Sequence, residues 1–143
     1  MPDIFHNFPI NAKRSEVFRA VSTPDGLNNW WTKTCAGKPS EGSAYQMGFG
    51  PEYNWQAIVS RCDSDSEFEF QFTEADSDWT GTRIGFLLTE NNGNTDVSFR
   101  HVGWPESNEH YRTSCFCWAM YLRLMKRYVE TGEVVPYEVR LDV

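Results

Sequence analysis

The stretch TDVSFRHVGWP, residues 95–105, alternates apolar and polar side chains and then stops at a glycine and a Trp-Pro pair. Because successive side chains of a strand point to opposite faces, this stretch predicts a β-strand with one apolar face. A long helical pattern follows it directly and stops at Gly132. A strand that feeds a long amphipathic helix needs a curved sheet to pack against, and we expect such a sheet to enclose a cavity.

The apolar residues of the helical pattern recur at steps of three and four, which is one stripe of a 3.6-residue period. They are Tyr111, Cys115, Trp118, Leu122, Met125 and Val129. Ser107 suits the N-cap position, and Gly132 suits the left-handed residue that follows a last helical turn. The pattern therefore predicts a helix from Ser107 to Thr131, whose stripe would be buried in any fold.

Five segments in which apolar and polar residues alternate are joined by short turns, and the last of them is the stretch at residues 95–105. Their apolar sets are Tyr45/Met47/Phe49, Trp55/Ala57/Val59, Phe68/Phe70/Phe72, Ile84/Phe86/Leu88 and Val97/Phe99/His101. Residues 3–10 predict an earlier strand, residues 14–22 a short helix, and Thr23-Pro24 the start of a second helix ending near Trp30-Trp31. Residues 32–44 read as a loop. Strands in such succession form an antiparallel meander, so we predict one α+β domain over residues 1–143 with the order β-α-α-β-β-β-β-β-α.

Composition excludes several functions. The net charge of −7 at pH 7 argues against nucleic acid as a partner, because phosphate binding needs a basic surface. The acidic residues between Asp63 and Asp78 lack the glycine spacing of a calcium loop, so we interpret them as a solvated hairpin. No apolar run is long enough for stable membrane insertion and no signal-peptide pattern follows Met1. Four cysteines without a CxxC motif predict free thiols, and hence a cytoplasmic protein.

Several short motifs point to a known family. They are Glu16-Val17-Phe18, Thr23-Pro24 to Trp30-Trp31, Trp79-Thr80-Gly81-Thr82, Phe99 to Trp104, and Trp118 to Gly132 with Pro136. In these motifs and in element order the chain resembles the START-like, or SRPBCC, superfamily, and more narrowly its small bacterial heat-shock-protein-90 ATPase activator-like (Aha-type) domains. The resemblance implies a helix-grip fold with a central cavity between the sheet and the C-terminal helix. That superfamily includes lipid carriers, hormone and flavonoid binders, polyketide cyclases and chaperone partners, so fold does not fix function.

The inward-facing side chains would line the implied cavity, with two tryptophans closing one mouth. The predicted ligand-binding residues are Trp30, Trp31, Phe49, Trp55, Phe70, Phe86, Phe99, His101, Tyr111, Trp118 and Leu122. A concave aromatic face favours an apolar ligand, planar or acyl-chain, that is selected by shape and burial. The alternative is that these rings meet and leave no void, as close packing favours.

Three functions are compatible with these residues. The first is a module that binds an apolar small molecule or lipid without catalysis. The second is a cyclase- or hydrolase-type enzyme with His101 as acid–base group and Tyr111 or Tyr45 as its partner, although the position near the end of a strand favours a hydrogen-bonded structural role for His101. The third is a chaperone-interacting protein.

We expect the first function. A reaction needs at least two positioned groups, and His101 is the one strong candidate. The three histidines lack metal-ligand spacing, and no P-loop or dinucleotide fingerprint is present, so we expect no metal and no cofactor. A chaperone partner is the least expected, because in the chaperone activators a domain of this type is accompanied by an N-terminal domain and this chain starts at its first strand.

Overall fold

A single antiparallel sheet carries the fold of the computed structural model, which describes residues 2–51 and 53–142. Within these residues the sheet has seven strands in the order β1-β7-β6-β5-β4-β3-β2. The strands are β1 (Ile4–Ile10), β2 (Thr34–Ala36), β3 (Ala44–Gly48), β4 (Asn54–Asp63), β5 (Glu67–Glu74), β6 (Arg83–Asn91) and β7 (Asn94–Val102). The helices are α1 (Arg14–Ser22), α2 (Pro24–Asn28), α3 (Glu109–Thr131) and a C-terminal 3₁₀ helix (Tyr137–Asp142).

The predicted α+β fold is confirmed: a curved antiparallel sheet grips the long helix α3. Two register shifts between β4 and β5, at Gln56/Ala57 and Val59/Arg61, mark irregularities of the bulge type. Such bulges bend a strand and increase its twist, and so they help to wrap the sheet around α3. No helix among residues 2–51 and 53–142 is both long and apolar enough to cross a membrane.

The predicted element order lacks one short edge strand, β2, which lies between α2 and β3. Residues 34–36 were expected to belong to a loop, but they pair with β3 from Thr34 opposite Gly48 to Ala36 opposite Gln46. Three residues are too few for an alternating pattern to be recognised. Gly48 allows the close approach, because a Cβ at that position would collide with Oγ1 of Thr34. Phe49 lies one residue beyond β3 rather than inside the strand.

Local capping chemistry fixes the helix ends. Helix α3 begins at Glu109 with Asn108 as its N-cap, so the predicted cap at Ser107 is wrong by one residue. The Oδ1 atom of Asn108 accepts a hydrogen bond from the Tyr111 amide at 2.9 Å, while its Nδ2 donates to Asp78. At the other end Gly132 has a φ of 81° and its amide donates to the Tyr128 carbonyl, as predicted.

A buried ion pair corrects the interpretation of the acidic hairpin. Glu69 is only 6% exposed, although it lies on the outer face of β5 in the segment that we expected to be solvated. Its Oε2 accepts hydrogen bonds from Nε and Nη2 of Arg100 at 3.0 and 2.7 Å. Gly85 on β6 pairs with Glu69 on one side and with Arg100 on the other, and a side chain at position 85 would collide with the Arg100 guanidinium. The carboxylate is therefore covered by its partner rather than by water.

The core lies between the concave face of the sheet and α3. Trp118, Leu122 and Met125 of the predicted stripe are all buried. The Trp118 ring lies 4.6 Å from that of Phe99 on β7, measured between centroids. Aromatic contacts at this distance add to the stabilisation from burial alone. Helix α3 is thereby fixed over the sheet, and its first half is left close to the start of β4.

Candidate functional site

An open pocket of about 340 Å³ lies between α3, the start of β4 and the C-terminal 3₁₀ helix. Its walls are largely aromatic, with a few polar groups on one side. The lining residues are Trp31, Phe49, Tyr53, Trp55, Asp76, Trp79, His110, Thr113, Ser114, Cys117, Trp118, Tyr121 and Tyr137. We call this pocket the aromatic groove.

The walls of the aromatic groove form a connected set of rings. Ring centroids are 5.1 Å apart for Trp31 and Trp118, 5.3 Å for Trp31 and Phe49, and 4.8 Å for Phe49 and Trp55. Trp79 continues the wall at 4.9 Å from Trp55. These five rings come from the segment after α2, the β3–β4 turn, β4, the β5–β6 turn and α3. Tertiary structure therefore assembles the wall from five separate parts of the chain.

Four of the predicted ligand-binding residues line the aromatic groove: Trp31, Phe49, Trp55 and Trp118. The others lie elsewhere. Trp30, Phe70, Phe86, Phe99 and His101 are buried in the core. Leu122 lines a separate cleft against β1. Half-buried Tyr111 donates its hydroxyl hydrogen to the Asp3 carbonyl at 2.7 Å and does not line the groove.

The deeper part of the expected cavity is occupied by side chains. Phe86 lies 6.2 Å from Trp30 and 5.4 Å from Phe99, and Phe99 in turn lies 4.6 Å from Trp118, all between ring centroids. These distances are those of direct ring contact. In the interior, therefore, the rings meet as the close-packing alternative predicted, and the open space lies nearer the surface.

Sequence reasoning missed nine lining residues. They are Tyr53, Asp76, Trp79, His110, Thr113, Ser114, Cys117, Tyr121 and Tyr137. Three of them, Ser114, Cys117 and Tyr121, recur at steps of three and four and form a second stripe beside the core stripe of α3. That spacing was the available signal. Tyr53 and Trp79 lie in turns and Tyr137 follows α3, where periodicity carries no information.

His101 is fully buried and hydrogen-bonded through both ring nitrogens. Nε1–H of Trp118 donates to Nδ1 at 3.1 Å, which makes Nδ1 an acceptor and leaves the proton of the neutral ring on Nε2. Nε2 lies 2.9 Å from Oγ1 of Thr82, whose own hydroxyl donates to the Trp79 carbonyl at 2.6 Å. The imidazole thus links two tryptophans that wall the groove.

This environment engages both ring nitrogens of His101 and keeps the ring uncharged. Burial lowers the pKa of His101 to about 3, so that the ring is neutral near pH 7. The expected partners lie elsewhere: Tyr45 donates to the Ser22 carbonyl at 2.5 Å, and Tyr111 is held by Asp3. Burial also raises the pKa of the Tyr45 hydroxyl. Neither tyrosine hydroxyl is therefore hydrogen-bonded to His101.

The polar side of the groove is acidic. Asp76 lies at its rim, and His110 places Nδ1 at 3.0 Å from Oδ2 of Asp78. Hydrogen bonds from His110 and from Asn108 lower the pKa of Asp78. Burial raises the pKa of the Cys117 thiol, which keeps this groove-lining sulfur protonated. Within residues 2–51 and 53–142 no group of three or more His, Cys, Asp or Glu side chains could hold a metal ion.

The C-terminal 3₁₀ helix forms the last wall. The Tyr137 hydroxyl donates to the Phe49 carbonyl at 2.9 Å, which ties this segment to the β3–β4 turn. The buried guanidinium of Arg140 donates to the carbonyls of Val135, Thr32 and Asn28 at 2.9, 3.3 and 2.8 Å. These bonds hold the segment against the end of α2.

Solved structures with the same architecture include an Aha1 dimer from Colwellia psychrerythraea, with 27% identity, a TM-score of 0.83, and coverage of 93% of this chain and 99% of that chain. A Bacillus halodurans protein aligns at 23% identity and a TM-score of 0.75, over 91% and 98% of the two chains. CalU16 from Micromonospora echinospora aligns at 18% identity and a TM-score of 0.76, over 97% and 80%. The last two similarities establish the fold alone.

The fold and groove together define an α+β helix-grip protein of the START-like type. The model of the family described as Activator of Hsp90 ATPase homolog 1-like protein matches residues 11–130. The chain belongs to that family, as the resemblance of its motifs indicated. A search of the curated proteins finds no significant match.

Proposed function

We propose that the protein is a non-catalytic binding module that holds a planar apolar molecule in the aromatic groove. The observation that carries this proposal is the groove itself, whose walls include the rings of Trp31, Phe49, Trp55 and Trp118. Its volume of about 340 Å³ is within the range of roughly 300–1,000 Å³ that is typical of small-molecule sites. Flat, rigid walls favour flat ligands.

A planar ligand fits better than a long acyl chain. An acyl chain would need depth between the sheet and α3, and the rings of Trp30, Phe86 and Phe99 occupy that space. Rings stacked between Trp55 and Trp118 would bury their faces without entering the core. Catalysis is disfavoured because His101 is neutral and already engaged with Thr82 and Trp118.

The test is an NMR titration with flavonoids, aromatic polyketides and fatty acids. We expect a planar ligand to shift amides near residues 49–55, 76–79 and 113–121, and to change tryptophan fluorescence, since four of the six tryptophans line the groove. Shifts confined to the outer face of the sheet, or none with any ligand class, would contradict the proposal.

A matched pair of variants sharpens this experiment. Trp55→Ala removes a half-buried wall of the groove and should weaken binding about tenfold, as expected for loss of a stacked ring and its burial. Phe116→Ala removes a ring that is 79% exposed on α3 and does not line the groove, so affinity should be unchanged. Equal affinities in the two variants would place the ligand elsewhere.

Family membership supports a second candidate, namely contact with a chaperone of the Hsp90 type. The corresponding experiment is a pull-down with the host's chaperone, followed by measurement of its ATPase rate with and without this protein. Retention together with an increased rate would support that function. A chaperone that is neither retained nor stimulated would exclude it.

A further inference from the structure

We propose that the aromatic groove selects planar aromatic molecules that carry a positive charge, such as an aryl-methylammonium or a protonated heterocycle, over molecules that carry a carboxylate. This inference rests on the proposed function, because it specifies the ligand class of the same groove. It depends on three observations: the charge at the rim, the two cations beside the Tyr137 ring, and the chemistry of the walls.

The rim of the groove is negative. Asp76 lies there and is exposed. Its backbone carbonyl accepts hydrogen bonds from the amides of Trp79 and Thr80 at 2.8 and 3.0 Å, so the Asp76 backbone is held close to Trp79. His110 and Asp78 lie 3.0 Å apart, so a protonated His110 is neutralised by Asp78 and a neutral His110 leaves the Asp78 charge. In either state these three groups together are negative.

Two cations lie beside the Tyr137 wall, and neither of them lines the groove. Nζ of Lys33 is 5.7 Å and Cζ of Arg140 is 5.5 Å from the centroid of the Tyr137 ring. A third cation over that ring would be repelled, which favours the Asp76 side of the groove for the charged end of a ligand. Asp76 also lines a neighbouring cleft together with Tyr53 and Trp55.

The walls beside Asp76 favour a cation for a second reason. The faces of aromatic rings are negative, and tryptophan attracts cations most strongly. Trp55 and Trp79 stand 4.9 Å apart at this end of the groove. A ligand ammonium there would lie beside the half-buried Trp55 ring and the Asp76 carboxylate. A ligand carboxylate in the same place would be repelled by Asp76 and by the face of the Trp55 ring.

The test uses three probes that share one ring system: 2-naphthylmethylamine, 2-naphthalenemethanol and the carboxylate 2-naphthaleneacetate. Each is titrated by calorimetry at pH 7 and low salt. We expect the ammonium to bind about fivefold more tightly than the alcohol, and the carboxylate about fivefold more weakly. Differences of this size are expected when a partly exposed ligand charge interacts with one carboxylate and with aromatic ring faces. Both differences should shrink as ionic strength rises.

Two matched variants test the source of the selection. Asp76→Asn should bring the affinity for the ammonium to within about twofold of the affinity for the alcohol. Asp65→Asn is the control. Asp65 lies in the turn at the other end of the β4–β5 pair, about 30 Å away at the rise of a strand, and its positive φ of 62° suits asparagine. This variant should retain the wild-type order of affinities.

The outcomes separate the two proposals. If no probe binds, the proposed function is wrong. If all three bind equally, or the carboxylate binds most tightly, the groove is a binding site but the charge selection is wrong. Selection that survives in Asp76→Asn also refutes it. NMR shifts at the Leu122 cleft in place of the groove would refute the assigned site.

Discussion

The buried imidazole of His101 gives a quantitative prediction about stability and pH. In the folded protein the pKa of His101 is lowered to about 3 by burial, whereas an unfolded chain would have a histidine pKa of about 6.5. Between these two values the unfolded state binds a proton that the folded state excludes. The free energy of unfolding should therefore fall as the pH is lowered from about 6.5 toward 3, and His101 should cost nothing above pH 6.5.

The magnitude follows from the width of this window. Each pH unit within it is worth about 1.4 kcal/mol, so His101 alone should reduce the free energy of unfolding by about 3 kcal/mol at pH 4 and by about 4–5 kcal/mol at pH 3. That is a large share of the 5–15 kcal/mol that is typical of a small domain. Acid should thus destabilise this protein more than its carboxylates alone would.

Urea unfolding at pH 7, 6, 5 and 4 measures the effect, with His101→Gln as the reference. Glutamine can still accept a hydrogen bond from Trp118 but does not titrate, and the other ionisable groups cancel in the difference. The wild type should lose stability relative to the variant by about 1.4 kcal/mol per pH unit below 6.5. Parallel pH profiles would show that the folded protein accommodates a protonated His101, and would refute the hydrogen-bond assignment of its ring nitrogens.

Three further substitutions, one of them a control, test the packing of the sheet. Trp118→Ala should cost about 3–5 kcal/mol, because it empties a core site against Phe99 and removes the donor to His101, whereas the exposed Arg123→Ala should stay within about 0.5 kcal/mol. Equal costs in urea unfolding would mean that α3 presents another face to the sheet. Gly85→Ala should cost about 1–3 kcal/mol, because the new methyl group displaces Arg100 from the buried Glu69 carboxylate. A thermal denaturation midpoint equal to the wild type would show that the ion pair does not depend on this glycine.

Local patterns in the sequence determined the elements of this fold. The stripe through Trp118, Leu122 and Met125 and the glycine at position 132 predicted α3, because helical periodicity and capping involve residues within a few positions of each other. Alternation placed His101 on the inner face of its strand for the same reason. The predicted cap at Ser107 was wrong by one residue; the observed cap, Asn108, also donates a hydrogen bond to the distant Asp78, a contact that local patterns do not show.

Tertiary structure decided where the site lies. The sequence showed which rings point inward, but whether Phe86 and Phe99 meet or leave a void depends on the spacing between sheet and helix, which curvature and packing set. Trp79 lies in a turn, where periodicity carries no information, and only the folding of the β5–β6 turn onto α3 brings it to the groove. The bonds of His101 to Thr82 and Trp118 likewise join residues far apart in the chain, and tertiary packing sets the burial that keeps its ring neutral.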